Sequence, residues 1–376
     1  MNKRECFKET VHHRKPEKVV VDLWGCPLSG ISDNKAKELD CFLGYDHDKE
    51  KKRFNISEKA LLYYDIDTRG VGNIIVPKKS HYKKISDTEV IDEWGIAKKF
   101  TGLYWDITDN PLRGKSYEEI EKYPFPDVDS IDINQLKEWR TEAKRLHEET
   151  DYAVCGSHPV YGVFEIACWL FGFDDLLLRM ALEPKTIHMF FERFLNYQRE
   201  VSDIYYSELG EYLDYTSSGD DFATQNSTFC SREMFRELIF PHFKERIRFT
   251  KAKTPAKFLH HSCGNVYSLI PDLIEAGVDI LNPIQPVQPE MSARSLKSAY
   301  GGRIVFHGGF DTQQILVHGT SEEIREETSR LIKEMDYGNG YIFAAAHCIQ
   351  DDVPVENIDA MFTAAKFFGS RNNRQG

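Results

Sequence analysis

The chain has 376 residues, with 48 Lys and Arg against 60 Asp and Glu for a formal net charge of -12, and 41% of its residues are hydrophobic and 12% aromatic. That composition belongs to a globular protein, and its acidic balance argues against a phosphate backbone as the main partner, because such proteins need a basic face to release counterions. The length could hold two α/β domains, yet a single barrel with insertions reaches it as well.

The basic residues at the N-terminus are not followed by an apolar run, which is not the pattern of a secretory signal. The most apolar stretch, residues 163–173, is short and carries Glu165, so no membrane span is expected. The eight cysteines, at positions 6, 26, 41, 155, 168, 230, 263 and 348, are neither dense nor regularly paired. Reduced thiols and a cytoplasmic location follow as the expectation.

Short apolar runs predict strands at 19–23, 66–71, 152–156, 212–217, 256–261, 278–282, 303–307 and 341–345. Stretches with helical spacing separate the later ones, among them 184–209, 232–252, 266–276 and 321–335. Strands alternating with helices of this length pair in parallel through right-handed crossovers, and eight of them close a (β/α)8 TIM barrel. The stretch from 72 to 151 is too long for one crossover; 72–132 therefore reads as a hairpin-rich insertion between the second and third strands, and 133–150 as the returning helix. The whole chain, 1–376, is read as one barrel, with a two-domain α/β protein as the rival.

Active sites in this fold lie in the loops after the strands. Those loops here carry Asp22, Trp24 and Cys26; Asp220, Asp221 and Gln225; His261 and Cys263; Asn282 and Gln285; His307 and Asp311; and His347 and Cys348. In an extended segment, residues i and i+2 point the same way, so His261 and Cys263 can converge on one ion. The loop after the eighth strand faces them across the mouth and offers Cys348. Two thiolates and an imidazole suit Zn²⁺ and leave a fourth position open for an exogenous group. A one-residue shift in register would put His260 or His347 in place of these ligands, and the plain alternative is a core histidine among core cysteines. Asp220, Asp221 and Gln225 are the candidate catalytic residues, able to orient substrate or a metal-bound histidine; equally, they could cap a helix starting near Ser231. Asp311 carries the same ambiguity. Glu165 is a reserve fourth ligand. Trp24, Trp94, Tyr104, Trp105, Tyr161, Phe222 and Phe310 are candidate aromatic walls of a substrate pocket, or simple core.

Four stretches, GDDFATQNSTFCSREMFRELIFPHFKERI, FLHHSCGNVYSLIPDLIEAGVDILNPIQP, IVFHGGFDTQQIL and HCIQDDVPVENIDAMFTAAKFFG, are ordered and spaced as in a known family. The chain resembles the uroporphyrinogen decarboxylase superfamily, and within it the zinc-dependent, corrinoid-linked methyltransferases. That resemblance implies a (β/α)8 barrel, zinc on His261, Cys263 and Cys348, and movement of a methyl group between a small substrate and cobalt. A methyl ether, and hence O-demethylation, is the substrate expected from the aromatic residues. Alternatives are a methylcobamide:thiol methyltransferase, a uroporphyrinogen decarboxylase, and a zinc-binding barrel without turnover. Decarboxylases of the family carry arginine just after the first strand, whereas here no Arg or Lys follows Asp22 until Lys35. A substrate with eight carboxylates would meet Asp22 instead of guanidinium groups. No Asp-x-His-x-x-Gly cobalamin motif is present, so the corrinoid is expected on a separate partner protein. A homodimer is the usual expectation for a soluble enzyme of this size.

Overall fold

The apolar runs become the staves of a barrel in the computed structural model, which describes residues 1–102 and 105–373; Tyr104 lies outside them. The strands are β1 (Val20–Val21), β2 (Thr68–Val71), β3 (Ala153–Ser157), β4 (Tyr215–Gly219), β5 (Lys257–His261), β6 (Ile280–Asn282), β7 (Val305–Phe310) and β8 (Tyr341–Ala345). They form one parallel sheet in the order β1-β8-β7-β6-β5-β4-β3-β2. At the remaining seam, Asp67 donates its backbone N–H to the Val21 carbonyl at 3.0 Å and its carboxylate accepts the Val21 N–H at 2.9 Å. Lys18 at 2.7 Å and Lys3 at 3.4 Å neutralise that buried carboxylate. The barrel is thus nearly closed, with a side chain standing in for one rung of the ladder.

Strand alternation sends every second residue inward. Val20, Cys155, Tyr215, Leu259, Ile280, Val305 and Ile342 form an apolar layer there, joined by Cys6, Phe7 and Val11 of the first helix, Lys3–Val11. Phe7 stacks on Tyr215 with ring centroids 5.0 Å apart, so this helix plugs the N-terminal end. Outside the barrel the larger core lies between strands and helices; in Pro184–Leu209 it is built by Ile187, Phe190, Phe191, Phe194, Val201, Tyr205 and Leu209 at helical spacing. The helix expected at 232–252 forms with a wide turn, Phe235–Ile239, ahead of Phe240–Lys253. Pro241 supplies the reason, since it has no N–H for the ladder.

Between β2 and β3 the chain makes an antiparallel four-stranded sheet, Lys83–Lys84, Glu89–Ile91, Ala97–Phe100 and Trp105–Asp109. Trp94 anchors it, buried edge-on against Phe125, Phe194 and Tyr197. Among the described residues no helix is long and apolar enough to cross a membrane.

Candidate metal centre

Two residues beyond the apolar layer, the same inward rows carry Asp22, Ser157, His261, Asn282 and His307. Burying such groups is tolerable only when each finds a partner. His261 on β5 faces Asn282 on β6 at 2.5 Å from Nδ1 to Oδ1, and Asn282 Nδ2 lies 2.6 Å from His307 Nδ1 on β7. His307 Nε2 lies 2.7 Å from Asp22 Oδ2 beyond β1. The polar layer is therefore a connected chain.

His261 turns its other nitrogen toward the mouth, where the Cys263 sulfur lies 3.2 Å from Nε2. His347 leans over from the end of β8, its ring centroid 5.7 Å from that of His261. The ligand atoms of His261, Cys263 and His347 all lie within 4.8 Å of one another, the one group among the described residues able to hold a metal ion. Two imidazole nitrogens and one sulfur suit Zn²⁺ and leave a coordination position open. Burial holds His261 neutral, as a ligand must be, and pushes the Cys263 thiol up to about 12, with Asp221 and Glu165 adding to it. Only a cation at this point would make that sulfur a thiolate at neutral pH.

Cys348, the third ligand expected from the sequence, is not part of this group. The chain after β8 is tied down by the pairing of Ile349 with Ile31, and Ile349 donates its N–H to the Gly30 carbonyl at 2.9 Å. That turn directs the Cys348 sulfur to the Ile349 carbonyl at 3.9 Å, and the adjacent His347 reaches the mouth instead. Cys348 shares only the wall of a neighbouring polar cavity with Cys263 and His347.

The candidate catalytic residues separate. Asp220 is fully buried and accepts N–H groups from Glu165 at 2.8 Å and Phe164 at 3.3 Å, capping helix Val163–Phe171 rather than the helix after Ser231. Ser231 caps that one itself. Asp221 takes the Cys263 N–H at 2.8 Å and lies 3.8 Å from His261 Nε2, so it steadies the turn that carries Cys263. Gln225 is exposed on the rim of the polar cavity, 3.3 Å from Gln313. Asp311 closes its own turn by accepting N–H groups from Gln313 and Gln314.

A cavity of about 280 Å³ adjoins the metal group, lined by Leu28, Ile74, Tyr161, Trp169, Glu165, Asp221, His261 and His347 among others. Tyr161 and Trp169 meet edge to face at 4.9 Å. Of the other described aromatics proposed as pocket walls, Phe222 and Phe310 are buried in the core, Trp94 anchors the insertion, Trp105 is exposed, and Trp24 stacks on Phe54. Nothing in the sequence marks Trp169, one apolar residue among many in the helix that carries Glu165. Burial, with Asp220 and Asp221 nearby, pushes Glu165 up to about 8, so it faces the cavity as a neutral acid at pH 7. Asp22 does not meet substrate at all: it is 1% exposed and committed to His307, Thr68 and the Gly25 N–H. The case against an octacarboxylate rests instead on the cavity, whose described lining holds no Lys or Arg but does hold Asp221.

Comparison with known proteins agrees with this architecture. A methyltransferase from Methanosarcina mazei superposes over 98% of this chain and 99% of its own, with a TM-score of 0.68 at 16% identity. Short stretches match proteins named uroporphyrinogen decarboxylase, at 30% identity over 78 residues in Pseudoalteromonas translucida and 36% over 63 in Psychromonas ingrahamii. They span 21% and 17% of this chain and 22% and 17% of those relatives, about a fifth of their length. The family model for uroporphyrinogen decarboxylase (URO-D) matches residues 107–368, which takes in β3 to β8 and the whole metal group. The chain belongs to the URO-D family.

Proposed function

We propose that this protein is a zinc-dependent methyltransferase that takes the methyl group of a small methyl ether and passes it to the cobalt of a corrinoid carried by a separate protein. The observation that carries the reading is the His261, Cys263 and His347 group, whose two histidines line a small, aromatic-sided cavity. Zinc bound there would act as a Lewis acid on the ether oxygen, stabilising the negative charge that oxygen acquires as its bond to carbon breaks.

The chain's own residues supply the rest. Tyr161, Trp169, Ile74 and Leu28 offer apolar surface to a methoxylated ring and exclude water from it. Glu165, still protonated at neutral pH, can give its proton to the departing oxygen. Asp221 holds the Cys263 backbone, and Asp220 fixes the helix that carries Glu165. A porphyrinogen with eight carboxylates would face Asp221 with no described lining cation to offset it.

The test is metal analysis together with methyl transfer from a panel of methoxylated aromatics to a reduced corrinoid protein. About one zinc per chain and transfer that fails without it are expected. Consumption of uroporphyrinogen, or full transfer by metal-free protein, would overturn the reading.

A further inference from the structure

The buried chain behind His261 has a direction as well as a set of distances. Asp22 lies at its far end, and an ionised carboxylate only accepts. Burial opposes that charge, but the His307 hydrogen bond leads the contacts that favour it, and the net effect holds the Asp22 carboxyl below the usual carboxylate range. His307 must then place its proton on Nε2, 2.7 Å from Asp22. The Asn282 amide turns its nitrogen to His307 Nδ1, 2.6 Å away, and since that nitrogen only donates, Nδ1 has to present a lone pair to it. The amide is left with its oxygen toward His261, 2.5 Å from Nδ1, and that oxygen accepts only if Nδ1 carries the proton. The lone pair of His261 is then on Nε2, the nitrogen beside the Cys263 sulfur. Turning the amide over would reverse every step and put a proton on Nε2, where it would block a metal.

We propose that Asn282, His307 and Asp22 are positioning residues that hold His261 as the Nδ1–H tautomer, with its Nε2 lone pair aimed into the metal group. The inference rests on His261 being a metal ligand, as proposed above. The four side chains come from β5, β6, β7 and the end of β1 and are 0 to 5% exposed, so no water competes for the bonds that set the direction. Partners of this kind typically change metal affinity by about 10- to 100-fold when removed.

Two readouts on the full chain test it. Nitrogen-15 spectra of histidine-labelled, metal-free protein report the tautomer of His261 directly, and zinc affinity is read by competition with a chromophoric chelator. The wild type should show the Nδ1–H form. Asn282→Ala should mix the tautomers and weaken zinc binding about 10- to 100-fold, whereas Asn282→Asp, which keeps an acceptor for Nδ1–H, should restore both. Asp22→Asn, similar in shape, should mix the tautomers too and serves if Asn282→Ala fails to fold. An Nε2–H form in the wild type, or wild-type tautomer and affinity in both Asn282→Ala and Asp22→Asn, would overturn the proposal. Because the tautomer is measured without metal, a wild type that shows Nδ1–H but binds no zinc would count against the metal reading and leave the assignment of the positioning residues supported.

Discussion

The two ends of the barrel interior are built on the same strands by the same alternation, yet they differ in chemistry. The lower layer is apolar, sealed by Phe7 against Tyr215; the upper one, two residues further on, runs through Asp22, His307, Asn282 and His261. In the lower layer any side chain of suitable size and shape contributes, since dispersion and burial have no direction. In the upper layer each group is acceptable only because its neighbour has the complementary donor or acceptor. The fold places its packing and its chemistry on the same staves, separated by one turn of the pleat.

The difference is most sharply exposed by Cys263→Ala. Zinc content should fall from about one per chain to near zero, and methyl transfer by more than the roughly 100-fold loss expected when a supporting residue is removed, while the unfolding midpoint of the metal-free chain stays close to wild type. The opposite pattern belongs to Phe7→Ala. Opening a void under Tyr215 should cost about 3–5 kcal/mol in denaturant unfolding, with zinc bound per folded chain unchanged.

A smaller effect separates the layers by pH. Glu165 is raised to about 8 and Asp220 to about 7, both first by burial. From about pH 4.3, where an unfolded carboxyl loses its proton, up to these values Glu165 and Asp220 hold protons in the folded chain that they lose in the unfolded one. The contribution of these two groups to stability therefore falls as pH rises through that window. Glu165→Gln should remove its own share of that contribution and leave the share of Asp220, which has the same sign; the difference between variant and wild-type denaturant melts across pH would read this. The same variant should lower transfer at pH 7 and remove the decline expected above about pH 8. Smallest of all is Cys348→Ala, which should leave zinc stoichiometry as it is, whereas His347→Ala should reduce it.

Much of the barrel is legible in the sequence because short apolar runs and helical spacing are local signals. Seven strands start within two residues of the expected position; β4 starts at Tyr215 instead of 212 because Gly210–Tyr212 winds a short 3-10 turn onto the preceding helix. β7 runs on to Phe310 through Gly308 and Gly309, a pair that reads as a turn. Both have positive φ, at 90° and 99°, and a side chain on Gly309 would meet Ile284 at 2.8 Å. At the site, His261 and Cys263 are legible because i and i+2 suffice to bring them together. His347 and Cys348 are adjacent and both line the polar cavity with Cys263, and only the folded backbone after β8 brings His347, rather than Cys348, within reach of His261. The chain from Asp22 to His261 is beyond a linear reading, since Asp22 and His307 are 285 residues apart and meet only when the barrel closes.

On the proposed function, this polar end holds a metal on one sulfur and two imidazoles. X-ray absorption at the zinc edge of the loaded wild-type protein tests it most directly. One zinc–sulfur distance of about 2.3 Å with nitrogen neighbours at about 2.0 Å is expected, with a spectrum unchanged in Cys348→Ala. Two sulfur neighbours, or a zinc bound without sulfur, would contradict it.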